Sequence, residues 1–166
     1  MSTLSVDTIT GQTTAANVVI PNHVIQVEQF FRIGIIGSNQ ASLAELSNAS
    51  DYSDIMSQTI TTKQANSKIL VRTKLVGYNA TQNMRGISRV LRGNIEIARD
   101  RYAFYGPSQI FAVAMDEVLD TPNASAGTTL TYKYQCYNSG SGTLKVGQGD
   151  ANGGTNASFT LMEIGV

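Results

Sequence analysis

A single histidine and a single cysteine limit the chemistry open to this chain. His23 follows Pro21 and Asn22 at the start of a strand-like stretch. A hydroxyl nucleophile would have to meet it in space, as triads do, yet no serine sits in a G-x-S-x-G elbow. A polar residue at a strand edge is the favoured reading of His23. Cys136, being alone, excludes an internal disulfide framework and a Cys-rich zinc site. The carboxylates fall into two small groups, Asp51 with Asp54, and Asp116, Glu117 and Asp120. Paired acids are the machinery of glycoside hydrolysis. Both groups, however, flank turn-forming sequence, where Asp accepts hydrogen bonds from backbone donors, and the structural reading leads. Residues 150–154 (DANGG) resemble half a calcium loop but lack the spaced acids and closing Glu of an EF-hand. No catalytic, cofactor-binding or metal-ligating residue is assigned, and the chain is expected not to be an enzyme.

The one charge asymmetry is a run of arginines. Arg85, Arg89, Arg92, Arg99 and Arg101 crowd one segment, with only Glu96 and Asp100 as local counter-charges, and Tyr102, Phe104 and Tyr105 follow. A solvated hairpin face is the plain reading. The alternative is an interface patch of Arg85, Arg89, Arg92, Arg99, Arg101 and Tyr102, since arginine beside aromatic residues is common at binding hot spots. Such a patch suits an acidic partner surface, a phosphate-rich glycan or ion pairs between subunits.

The elements that must position these groups are strands. Charged residues make up only 14% of the 166, against roughly 25% in ordinary domains. Ser, Thr and Asn supply about a quarter of the chain, beside 15 Gly and no Trp. That composition suits a β-rich, turn-rich domain and disfavours a helical bundle. The 12 basic residues cancel the 12 acidic ones, leaving no net field for nucleic acid or an anionic membrane. No apolar run reaches the ~20 residues of a membrane-spanning helix, and the first residues lack the basic and apolar regions of a secretory signal. Four Asn-x-Ser/Thr sequons, at Asn48, Asn79, Asn123 and Asn156, are what chance gives at this composition.

Along the chain, residues 23–31 read as a strand with Ile25, Val27 and Phe31 on one side and Gln26 and Glu28 on the other. Residues 38–57 read mostly as loop, with a helical turn over 41–46. Residues 68–77 alternate strictly, Ile69, Val71, Thr73 and Leu75 against Arg72 and Lys74, which predicts a half-buried strand. Strands over 87–91 and 95–99 flank a turn at Arg92, Gly93 and Asn94. Further strands are predicted over 110–115, over 130–136 with Leu130, Tyr132, Tyr134 and Cys136 inward, over 143–146 and over 157–165. Residues 120–127 form a turn cluster. About eight short strands at intervals near ten residues predict an all-β fold, an antiparallel β-sandwich of jelly-roll topology, over residues 23–166. Residues 1–22 are too sparse in apolar side chains to form a core. They read as an extended N-terminal attachment arm, with Leu4, Val6, Ile9, Val18, Val19 and Ile20 as its partner-docking residues.

Residues 4–11 (LSVDTITG), 20–27 (IPNHVIQV), 67–71 (SKILV) and 158–164 (SFTLMEI), with the turn at Asp120 and the strand at 131–134 (TYKY), resemble a group of bacteriophage virion proteins. These are tail-fibre or surface structural proteins of phages of aquatic bacteria, cyanophages among them. The resemblance implies a β-sandwich that assembles as a homotrimer on the particle surface, joined to other virion proteins through its N-terminal arm. It implies no catalytic residues. Host-surface glycan or protein is the implied external partner, with neither nucleic acid nor membrane. The expected role is a short tail-fibre or fibre-head module. The lack of a shaft or repeat in this sequence raises an alternative, a trimeric capsid decoration (cement) protein stabilising the head shell.

Overall fold

In the computed structural model the structure describes residues 22–32, 44–47, 51–78, 84–106, 111–140, 142–147 and 157–166. Within them lie eleven strands: β1 (Val24–Arg32), β2 (Ala44–Ser47), β3 (Ser53–Thr61), β4 (Lys68–Tyr78), β5 (Met84–Arg92), β6 (Ile95–Gly106), β7 (Phe111–Ala114), β8 (Glu117–Asp120), β9 (Thr129–Asn138), β10 (Thr143–Val146) and β11 (Ala157–Ile164). One sheet runs β1-β11-β4, with β7 and β8 both on the remaining edge of β4. The short pair β10 and β2 continues from the far end of β4, where Lys145 and Val146 meet Tyr78 and Gly77. The second sheet runs β3-β9-β5-β6. All pairings are antiparallel.

Strands β7 and β8 pair with consecutive stretches of β4 and amount to one strand interrupted at Met115 and Asp116. With that pair counted as one strand and the short β2 and β10 set aside, the eight remaining strands, renumbered in chain order, read 1-8-3-6 and 2-7-4-5. That is the jelly-roll order, two Greek keys closed face to face. The expected sandwich and its topology are both present.

The core follows from parity. On β4 the inward set is Ile69, Val71, Thr73 and Leu75, and on β9 it is Tyr132, Tyr134 and Cys136, as the alternation predicts. They meet Ile60, Leu144, Phe159 and Leu161, all at most 1% exposed. Each such side chain contributes about 1.5–3 kcal/mol by leaving water. Phe104 packs under two glycines. A Cβ added at Gly77 or Gly86 would come within 2.5 Å of its ring, so both positions need the missing side chain.

Several local expectations are corrected. Residues 44–47 form strand β2 rather than a helical turn, and β3 begins within the expected 38–57 loop, at Ser53. Its signal was hidden by a bulge at Asp54 and Met56 that buries Ile55 and Met56 in succession and breaks period two. The β5–β6 turn is Gly93 and Asn94 alone, with Gly93 at φ 57°, and Arg92 stays in the strand. On β1, Val27 and Phe31 are half exposed, while Gln26 reaches inward to Glu163.

The entry and exit of the sandwich are tied together. The Asn22 amide donates to the Gly165 carbonyl (2.9 Å), and the Gly165 amide donates to the His23 carbonyl (2.9 Å). Beside them Glu163, fully buried, accepts from Gln26 Nε2 (2.6 Å), the amides of Lys63 (2.9 Å) and Gln64 (3.0 Å), and Ser67 Oγ (2.7 Å). This carboxylate fastens β11 and β1 to the β3–β4 connection.

Candidate functional site

Most of the acidic side chains considered for chemistry are taken up by structure. Asp54, on β3, accepts from Gln135 Nε2 and from Lys133 Nζ (2.9 Å). These hydrogen bonds, Gln135 first, hold its carboxyl below the usual range against a small opposing effect of burial. Asp51 is exposed at a bend. Glu117 pairs with Arg72 (2.6 Å) on the surface, where such a pair contributes little. Asp120 is buried and accepts both Arg92 Nη1 (2.7 Å) and Tyr132 Oη (2.7 Å). Arg92 is on one sheet and Asp120 on the other, so this is a clasp across the sandwich. Burial, reinforced by the bond to Asp120, pushes the Tyr132 phenol far above its ordinary pKa.

A second polar cluster lies between the sheets at the interruption of β7 and β8. Asp116 turns its carboxylate in to accept from Ser88 Oγ (3.0 Å), while its backbone exchanges hydrogen bonds with Thr73 (Asp116 N to Thr73 Oγ1, 3.2 Å, and Thr73 N to Asp116 O, 2.8 Å). The hydroxyl of Tyr134 and the thiol of Cys136 face the same region, and burial drives both pKa values strongly upward. Among the described residues Tyr134 Oη is buried with no well-formed hydrogen bond, although Ser88, Asp116 and Cys136 lie beside it. Among the described residues no group of three or more His, Cys, Asp or Glu is placed to hold a metal ion.

The arginine run does not form one patch. Arg92 is withdrawn into the clasp, which corrects its assignment to a surface. Arg99, Arg89, Gln135 and Asp54 make a row across the outer face of all four strands of the second sheet. Two arginines directly opposite would repel. Here Arg89 stacks over the Tyr52 ring at 3.9 Å and Arg99 approaches it at 5.8 Å, while Glu96 accepts from both, at 3.5 and 2.6 Å. The bond from Arg99 is the main reason the Glu96 carboxyl sits below its ordinary pKa. Tyr137 packs edge-on against Tyr52, with ring centroids 5.3 Å apart.

The remaining two, Arg85 and Arg101, are exposed and make no side-chain ion pair among the described residues. With Ile87, Tyr105 and Ser139 they line a concavity of about 320 Å³ at the β5–β6 edge. Tyr102 lies on the same stretch of β6.

The opposite outer face is apolar in stripes, a feature the sequence reading did not anticipate. Val27, Met162, Leu70 and Leu119 form one row across β1, β11, β4 and β8. Val27 and Leu119 are about half exposed, as are Val24 and Phe31, and Met115 is 73% exposed. A groove of about 480 Å³ opens on this face beside Val27, Met115 and Met162, with Gln29, Arg72, Lys74 and Glu117 on its walls. The docking residues expected in the arm, Leu4, Val6, Ile9, Val18, Val19 and Ile20, lie outside the described residues.

No family model matches the chain, and no curated protein is similar to it in sequence. Among solved structures, VP2 of infectious bursal disease virus in a subviral particle superposes with a TM-score of 0.44 at 9% identity, over 86% of this chain and 42% of that one. The dimeric latent PorU of Porphyromonas gingivalis gives 0.41 at 8% identity, over 89% and 14%. The C-terminal domain of EclA, a sugar-binding protein, gives 0.31 at 9% identity, over 95% and 88%. The chain spans less than half the length of the VP2 chain it overlaps. These partial overlaps assign no family or role, and the jelly-roll description rests on the chain's own strand order.

Proposed function

We propose that this chain is a non-enzymatic structural component of a bacteriophage virion. It is a surface jelly roll that assembles as a homotrimer and serves as a short tail-fibre or fibre-head module in particle assembly and host-surface contact. The observation that carries the reading is the outer face of the β1-β11-β4-β8 sheet, where Val27, Phe31, Leu119 and Met115 stand half exposed or more and a groove opens beside Val27, Met115 and Met162. A clustered apolar face of this kind marks an interaction surface. On the opposite face, the charged groups around Tyr52 are taken up by their own ion pairs and ring stacking. The resemblance of the sequence to phage virion proteins supports the same reading.

On this reading the apolar face is covered by a neighbouring copy, and a closed ring repeats one contact between unlike surfaces. The N-terminal arm adds a second, weaker attachment to other virion proteins. Several arms acting together hold the ring by avidity.

The test is location and number. Labelling intact particles is expected to place the protein on a tail appendage at a few to a few dozen copies. Hundreds of copies on the head would assign it to shell decoration instead, and absence from particles would end the virion reading. In solution, Leu119→Glu with Val27→Glu is expected to leave a folded monomer where the parent is trimeric. A monomeric parent would remove the assembly argument.

A further inference from the structure

From the concavity at the β5–β6 edge, we infer that Arg85 and Arg101 form a binding site for an acidic saccharide, a pyranose bearing a carboxylate. The site stands independently of the virion reading. It lies on the sheet opposite the apolar face, and its test needs only the purified chain.

The backbone is built to present these two side chains. Gly86 pairs with Phe104 and Ser88 with Asp100, so Ile87 alone opposes Arg101, Tyr102 and Ala103. An irregularity of this kind turns side chains out of the regular pleat, and such features gather beside binding sites. Arg85 is held firmly at the other end. Ser139 donates to its carbonyl through both the amide (2.7 Å) and the hydroxyl (2.9 Å). Arg85 is also the direct cross-strand partner of Tyr105. Arg89, Arg92 and Arg99 all have ion-pair partners. Arg85 and Arg101 are the two guanidinium groups of the run without one among the described residues, and they line the same hollow.

The ligand class follows from the lining. Guanidinium forks match the two oxygens of a carboxylate. Tyr105, 61% exposed, and Ile87 offer apolar surface beside them, which suits the C–H face of a sugar ring. Ser139 adds a hydroxyl for a ring substituent. At about 320 Å³ the hollow is at the small end of ligand pockets, roughly 300–1,000 Å³, enough for a ring or two. An extended acidic peptide would instead add along the backbone of the β6 edge strand rather than seat in the hollow.

Tetragalacturonate titrated into the purified full chain, followed by calorimetry or by chemical-shift changes at Arg85, Arg101 and Tyr105, is the direct test. Binding is expected, with no binding of the neutral galactose tetramer or of inorganic phosphate. Arg85→Gln and Arg101→Gln are each expected to weaken it about tenfold or more, and Tyr105→Ala to weaken it as well. Lys63→Gln, at an exposed position elsewhere, should leave it unchanged. Absence of binding, equal binding of the neutral tetramer, tighter binding of phosphate or of a hexaglutamate peptide, or full binding by both arginine variants would each overturn the assignment.

Discussion

Replacing Glu163 by glutamine tests how the two ends of the sandwich are held. The carboxylate is fully buried and takes hydrogen bonds from four groups: Gln26 Nε2, the amides of Lys63 and Gln64, and Ser67 Oγ. Burial by itself would raise its pKa. The two amides, the hydroxyl and the Gln26 amide together outweigh burial and hold the carboxyl below its ordinary value of 4.5. Glutamine keeps the shape but puts an N–H₂ where Oε2 receives Gln26, so one donor faces another. Gln26 cannot simply turn over, because the same nitrogen also donates to the Thr61 carbonyl at 2.6 Å. The bonds that survive lose their charge assistance, which roughly halves each one. At about 1.5–3 kcal/mol net for each bond to a charged group, one bond lost and three halved cost about 4–7 kcal/mol. Relief of the buried charge's desolvation, several kcal/mol, offsets part of this and leaves a loss near pH 7 of roughly 3 kcal/mol. For a chain of this size that lowers Tm by roughly 6–12 °C.

The pH dependence follows from the depressed pKa. Stabilisation by Glu163 is fully present above the unfolded-state value, ordinarily 4.5, and is lost as pH falls through the lower folded-state value. Thermal melts of parent and Glu163→Gln should therefore differ by a constant gap from pH 8 to about 5, and the gap should close in more acidic buffer. Asp54 and Glu96, also depressed, are present in both proteins and cancel in the difference. A gap of the same size well below pH 4, or a variant within about 1 kcal/mol of the parent at pH 7, would refute the reasoning.

Other expectations can be checked by melting and labelling. Gly86→Ala should cost about 1–3 kcal/mol in a denaturant titration, because the new methyl meets the fully buried Phe104 ring; pairing it with Phe104→Leu should recover part of the loss. Arg92→Met leaves Asp120 buried with Tyr132 as its one remaining side-chain partner among the described residues, and should cost about 3 kcal/mol. Tyr134→Phe removes a buried hydroxyl that makes no well-formed hydrogen bond among the described residues, and should leave stability unchanged or raise it by up to about 1 kcal/mol. Cys136, fully buried with its thiol pKa pushed up, should resist alkylation in the native protein and react at once in denaturant.

Where side-chain parity and burial agree, the fold was legible in the sequence. Strand β9 alternates along its length and β4 does so from Lys68 to Leu75, and the strands and these inward faces follow the sequence pattern. Legibility failed where the structure breaks that agreement. Strand β3 carries a bulge that puts Ile55 and Met56 inside together. Strand β8 turns Leu119 to solvent and Asp120 to the core, the reverse of the usual pattern, because Arg92 and Tyr132 wait across the sandwich. Strand β1 likewise exposes Val27 and sends Gln26 toward Glu163. Such inversions need knowledge of the opposing sheet, which no local window contains. Glu163 itself could have been found: Ala157, Phe159 and Leu161 set an inward parity that it continues. The arginine run showed its composition but not its division, since only the register tells which of the five faces the clasp, the Tyr52 stack or the open hollow.

The paired backbone bonds between Asn22 and Gly165 and between Gly165 and His23 mean that the polypeptide comes into the sandwich and departs from it through one doorway. A domain of that kind can be spliced into a surface loop of an unrelated carrier, or rejoined head to tail and opened at the Gly93–Asn94 turn, without stretching either sheet. A fluorophore placed at Val166 would also report on whatever body lies just upstream of Asn22.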